Sequence, residues 1–230
     1  MIAAPLFGEA TSRILAHYPS IAPLGAPHLD ELTELYCTLT PDYFLTRFGR
    51  QYLRDVFWTR FCDRRDCFGF VWREAGAIVG YTAATLDRDR FLRRVVSAAP
   101  WRFVWAAATA SLRSPVVVRE GVQLLAQLGR QRSDGGPAAE LLTLGVLPRN
   151  IRPAITMSGE RVSPALVMMA AAATRMAELG LPSFRLYCTA SNKLAVSMYR
   201  RLQFVERNRF QMFGVEKLCF ERSTDFSGVV

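Results

Sequence analysis

Apolar positions step by three and four along much of the chain, and alternate or run together elsewhere, so its elements can be read in order. Leu29, Leu32 and Leu35 share one helical face, with Asp30 and Glu31 near its start, which predicts a helix over PHLDELTELYCTL. In PDYFLTRFGRQYLRDVFWTRF, the residues Phe44, Leu45, Phe48, Tyr52, Leu53 and Phe57 form a second apolar face, and Pro41 suits a first turn. The period then changes. Phe68 to Arg73 and Ala77 to Leu86 predict a hairpin around Glu74-Ala75-Gly76. Residues 87–137 return to helical spacing, with RDRFLRRVVSAAPWRFVWAAATASL and SPVVVREGVQLLAQLGRQR as two helices parted near Ser114-Pro115. ELLTLGVLP is apolar nearly throughout, as a strand covered on both faces must be. RNIRPAITMSGER reads as a loop.

Leu166, Met169, Ala170, Ala173, Met176 and Ala177 then mark a strong helix, with Ser163 at its N-cap, Pro164 at its first position and Gly180 just past its end. SFRLYCTA is a strand, Asn192 to Leu202 a short amphipathic helix, and FVERNRFQMFG and EKLCFER the last strands. The first 25 residues are harder to read; RILAHYPSIAP fits a first strand. A strand–helix–strand unit implies a parallel pair.

Composition narrows the class. Half of the 230 residues are hydrophobic, which suits a folded domain and excludes a disordered chain. No apolar run approaches the roughly 20 residues of a membrane span, and MIAAPLFGEATSR lacks the basic-then-apolar order of a secretory leader. Five cysteines without a CxxC pair, and two distant histidines, argue for reduced thiols, no metal and a cytoplasmic setting. The net charge of +9 suits either a solvated basic surface or attraction to an anion. No nucleic-acid motif accompanies it, so no nucleic-acid partner is expected.

Chemistry concentrates between Glu140 and Phe204. The helix beginning at Ser163 offers free amides and a positive dipole end to phosphate, with Arg149, Arg152 and Arg161 nearby in sequence. The order Asn192, Ala195, Tyr199, Leu202-Gln203-Phe204, following LLTLGVLP and MAELGLP, resembles the Gcn5-related N-acetyltransferase family over about two-thirds of the chain. The resemblance implies an α/β (α+β) fold: a mixed, central, splayed sheet with helices on both faces. It implies one acyltransferase domain over residues 1–230; residues 87–137 read as a helical insertion within it, between its third and fourth strands, where the family has a short connection.

It also implies an acetyl-CoA or other acyl-CoA co-substrate, whose pantetheine arm pairs with the backbone of Gly145, Val146 and Leu147. Its pyrophosphate would meet Arg161, Ser163, Ala165 and Leu166, and Asn192 and Ala195 would flank the arm. The acceptor would be a primary amine of a small molecule, such as an amino sugar or a natural-product intermediate. Tyr199 would protonate the departing thiolate, and Glu140, six residues before Val146, would take the amine's proton. Read from spacing alone, Tyr199 is sooner a core-edge ring than a proton donor, and Glu140 is equally a charge at a strand mouth. Asp87 or Glu74 could replace Glu140 as base.

Two departures stand out. Glu160-Arg161-Val162-Ser163-Pro164-Ala165 occupies the place of a glycine-rich phosphate loop, with an acid at its head and a proline that has no N–H. Trp101, Phe103 and Trp105 lie among arginines in the insertion, which suits an added helical layer, a substrate lid or a surface near a membrane interface. An oligomer is compatible with either. The altered loop keeps two alternatives open: an aminoacyl-tRNA or acyl-carrier-protein donor, and an inactive binding module.

Overall fold

A computed structural model describes residues 8–41, 43–63, 65–98, 100–113, 136–150, 155–157, 160–212 and 214–225. The chain opens with a helix, α1 (Glu9–His17), where a strand was expected. The reason is a cap supplied from outside the segment. The Glu178 carboxylate accepts bonds from the Gly8 and Thr11 amides and the Thr11 hydroxyl, at 3.0, 2.8 and 2.8 Å. A Cβ at Gly8 would lie 2.4 Å from the Glu178 carboxyl carbon, so a larger residue there would displace the capping carboxylate. Only β1 (Ile21–Pro23) is extended.

Helix α2 (Leu29–Leu39) forms as expected, burying Leu29, Leu32, Leu35 and Tyr36. The long helix expected from Pro41 is broken. After α3 (Phe44–Arg47) the chain turns at Gly49, whose φ of 94° favours glycine. It then continues as α4 (Arg50–Tyr52), a π-helical turn (Leu53–Trp58) and α5 (Thr59–Cys62). The hairpin β2 (Cys67–Glu74) and β3 (Ala77–Thr85) turns at Ala75 and Gly76, both with positive φ, which suits the twist of the strands.

Between β3 and β4 lie α6 (Arg88–Ala98) and α7 (Pro100–Arg113). The first insertion helix was expected unbroken; Pro100 starts a new helix because it cannot donate to the preceding turn. The second insertion helix, expected after Ser114, lies outside the described residues. So do Arg152 and Gly159.

Strand β4 (Glu140–Val146) follows, and a small hairpin, β5 (Ile155–Met157) and β6 (Glu160–Val162), stands where a loop was expected. Helix α8 (Pro164–Glu178) begins after Ser163 and ends at Leu179, followed by Gly180 at φ 76°. Then come β7 (Ser183–Thr189), α9 (Lys193–Arg201), β8 (Val205–Met212) and β9 (Val215–Ser223).

The seven-stranded sheet runs β1-β2-β3-β4-β7-β9-β8, and β4 with β7 is its parallel pair. Helix α8 covers one face. Its Val167, Met168, Met169, Met176 and a run of four alanines from Ala170 to Ala173 are buried. The small residues let the helix lie close to the strands: a Cβ on Gly80 of β3 would come within 3.0 Å of the Met168 methyl. The other face is covered by α2, α4, the π-helical turn and α5, around Leu32, Leu53, Trp58 and Phe61. At the margins of the sheet, β1 has three residues, and β8 is largely exposed, carries Glu206, Arg207 and Arg209, and bulges between Glu206 and Asn208.

Candidate active site

The site begins with a pairing that stops early. Strands β4 and β7 are matched at Glu140 with Arg185 and Leu141 with Leu186, and not beyond. From there to Val146, β4 stays paired with β3, through Tyr81 opposite Gly145 and Gly80 opposite Val146. Its other backbone edge faces a wedge-shaped gap that opens toward the C-terminal ends of β4 and β7. Gly145 has a steric reason to be glycine. A Cβ there would lie 2.8 Å from both the Leu39 Cδ1 and the Tyr81 ring. Val146 is buried and Leu147 half-buried at the end of the gap, and the Leu147 amide donates to Val79 of β3.

Helix α9 lies on the α8 side of the gap. Asn192 caps it, its side-chain oxygen accepting the Ala195 amide at 3.1 Å. Seven residues on, Tyr199 is 7% exposed, with its ring against Phe204 and Phe220 at centroid distances of 5.5 and 5.7 Å. Its hydroxyl has no hydrogen-bond partner among the described residues. Burial pushes the phenol well above its ordinary pKa, and the nearby Cys188 thiol adds to the shift. Gln203, where the resembling motif has glycine, adopts φ 61°, so the turn after α9 keeps a left-handed geometry without the residue that suits it.

The opposite side of the gap, under α2 and α3, holds charge. Glu140 is 4% exposed, with Arg88 Nε at 3.0 Å and Arg185 Nε at 3.6 Å from Oε2. Both guanidiniums lie over the Tyr187 ring, at 5.5 and 5.8 Å. Burial, the largest influence, holds the Glu140 carboxyl above its ordinary value, and the two arginines offset only part of that rise. Tyr187, Thr189 and Lys217 share this face, since Thr189 is directly opposite Lys217 in the β7–β9 register. Lys217 donates to the Thr189 hydroxyl at 2.8 Å, and its ammonium lies 5.1 Å from the Tyr43 ring centroid. Tyr43 lies just before α3 and touches Tyr36 of α2. Sequence reasoning missed Tyr43, Arg88, Arg185 and Lys217. Their one signal was that charged and phenolic residues alternate along β7, at Arg185 and Tyr187.

The other expected groups are engaged elsewhere. Glu74 accepts from Trp72 at 3.1 Å and from the Asn150 side chain. Asp87 accepts the Arg90 amide at 2.9 Å, capping α6. At the start of α8, the Leu166 and Val167 amides both donate to the Ser163 carbonyl oxygen, and the Ser163 side chain makes no capping bond. Pro164 has no N–H, so the Ala165 amide is the one left without an intrahelical acceptor in that first turn. Arg161 lies on β6, with its side chain outside the described residues.

The donor's fit to this site is therefore uneven: the gap and Gly145 suit an extended arm, and the phosphate end is spare. Among the described residues no helix is long and apolar enough to cross a membrane, and no three His, Cys, Asp or Glu side chains gather as a metal site.

No protein-family model and no curated protein matches the sequence. Solved structures match the fold. SsHAT is 20% identical, with 90% of this chain and 100% of that chain covered, at a TM-score of 0.56. The PaiA N-acetyltransferase of Thermoplasma acidophilum, solved with coenzyme A, is 13% identical over 89% and 99%, at 0.51. Arabidopsis thaliana NAA60, solved with acetyl-CoA, is 15% identical over 88% and 97%, at 0.50. Strand order, the gap between β4 and β7 and these matches agree: the chain has the fold of the Gcn5-related N-acetyltransferases.

Proposed function

We propose that this chain is an acyl-CoA-dependent N-acyltransferase, probed first with acetyl-CoA, that acylates a primary amine of a small molecule. The observation that carries the reading is the parting of β4 from β7 after Leu141, which frees a backbone edge inside the sheet. An extended arm bearing amides matches such an edge as an added strand would, at Gly145, Val146 and Leu147. The acetyl-CoA and coenzyme A bound in two of the similar folds support the same class of donor here. Ser163 and Ala165 would meet its pyrophosphate at the α8 terminus, with Leu166 and Arg161 beside them, and Asn192 and Ala195 would border the arm from α9.

Bound acyl-CoA would supply the activated carbonyl. Tyr199 keeps its proton throughout the working pH range, because its pKa is raised by burial. An acid weaker than a thiol hydrogen-bonds to the departing sulfur and lowers the cost of its charge. Glu140 has a different task from the proton acceptor expected of it. Held between Arg88 and Arg185, it serves as their counter-ion. With Glu74 and Asp87 also engaged, the amine loses its proton to solvent. Calorimetry with acetyl-CoA and a thiol-release assay over an amine panel test the reading; no heat, no thermal stabilisation and no thiol release with acetyl-CoA would refute it.

Pro164, which offers no N–H at the start of α8, favours a second reading in which the acyl group arrives on a larger carrier such as acyl-carrier protein. Acylated carrier protein turning over where acetyl-CoA does not would select it.

A further inference from the structure

Three cations are nearly buried on the α2/α3 side of the gap: Arg88, Arg185 and Lys217, at 6, 7 and 7% exposure. Arg88 and Arg185 share Glu140, and Asp89 lies 3.9 Å from Arg88. Lys217 has no carboxylate within ion-pair distance among the described residues. Its one hydrogen bond is to the neutral Thr189 hydroxyl, and the Tyr43 ring lies beside it. A buried ammonium without a counter-ion is costly, and burial draws its pKa down. The Thr189–Lys217 pair lies at the end of β7 that has parted from β4. Arg185 Nε and Arg88 Nη1, farther into the same face, are buried without a hydrogen-bond acceptor.

We propose that Lys217 and the Thr189 hydroxyl form a subsite for an acid group on the acceptor, so that the substrate is an amine that also carries a carboxylate or a phosphate. The proposal rests on the acyltransferase reading above. The ammonium keeps N–H donors beyond the one given to Thr189, and the acid group supplies its missing charge. Tyr43 closes the subsite from the helical side, holding the acid apart from the amine that must reach the gap.

The test uses matched acceptors with acetyl-CoA: proteinogenic amino acids against their decarboxylated amines, and phosphorylated against unphosphorylated amino sugars. The acid-bearing member should have a KM lower by roughly 10- to 100-fold, the range of a hydrogen bond to a charged group. The pair that separates identifies carboxylate or phosphate. Lys217→Met should erase that difference by raising KM for the acid-bearing member alone, and Lys217→Arg should restore part of it. Equal KM values within every pair overturn the proposal. So does a fall in kcat on Lys217→Met that is the same for both members, which would make Lys217 a proton carrier. If acetyl-CoA binds but no acid-bearing amine turns over or gives calorimetric heat, the subsite is wrong and the donor reading stands. If acetyl-CoA itself does not bind, the donor reading fails; heat from an acid-bearing amine, lost on Lys217→Met, then supports the subsite alone, and no such heat overturns it.

Discussion

Glu140→Gln separates the counter-ion role from the proton-acceptor role, because the two predict opposite measurements. The wild-type carboxylate is 4% exposed and has guanidinium nitrogens at 3.0 and 3.6 Å. Glutamine keeps the shape and removes the charge, leaving Arg88 and Arg185 buried together over Tyr187. Removing one partner of a buried pair costs about 3–5 kcal/mol. At roughly 2–4 °C per kcal/mol for a chain of this size, the thermal midpoint should fall by about 6–20 °C. Differential scanning calorimetry reads it directly. A second change that removes one cation, Arg185→Met on the Glu140→Gln background, should recover part of the loss, because the leftover repulsion is relieved. Assayed well below its midpoint, the single variant should lose less than the roughly 10²–10⁴-fold that a general base supplies. A midpoint within about 2 °C of wild type, together with a collapse in turnover, would refute the counter-ion assignment and return Glu140 to acid–base work.

Tyr199→Phe should lower kcat about 10-fold or more while leaving acetyl-CoA affinity unchanged in calorimetry; unaltered turnover would remove the phenol from the mechanism. Gly145→Ala should destabilise the fold by about 1–3 kcal/mol and weaken acetyl-CoA binding, since its Cβ would meet Leu39 and Tyr81 at 2.8 Å; chemical denaturation and calorimetry measure the two effects. Burial alone would raise the Glu178 carboxyl, but bonds from Thr11, Arg175 and Gly8 outweigh it and hold its pKa below the ordinary value. Its contribution, about 1–3 kcal/mol, is therefore present above the unfolded carboxylate pKa and is lost as pH falls through the folded one. Urea midpoints of wild type and Glu178→Gln should differ at pH 7 and converge below about pH 4. Gln203→Gly should stabilise by about 1 kcal/mol, because glycine adopts φ 61° freely, and a urea titration would detect the gain.

Where periodicity was long and its ends well marked, the sequence was legible. Helix α8, with Ser163, Pro164 and Gly180 at its limits, and the β2–β3 hairpin, with Ala75-Gly76 at its turn, appear where their residues indicate. Asn192 caps α9 as its spacing implied. The misses have a common physical cause: contacts from far along the chain. Helix α1 depends on a carboxylate almost 170 residues away. The break at Gly49 depends on a positive φ, which a glycine permits without announcing. The cation cluster could not be read because Arg88, Glu140, Arg185 and Lys217 come from a helix and three strands, and only the fold gathers them. The motif residues Asn192 and Tyr199 could be located from spacing, but the ring packing of Tyr199 against Phe204 and Phe220 could not.

Both outer rims of the sheet resist a visiting chain. On one side there are three residues ending in a proline, and on the other a kinked, ion-studded ribbon. Vacant main-chain amides are thus concentrated at an internal fissure, walled by two helical layers. The extended donor arm proposed above would meet free β4 backbone only inside that fissure, whereas a neighbouring protein's flat strand finds poor templates at the rims.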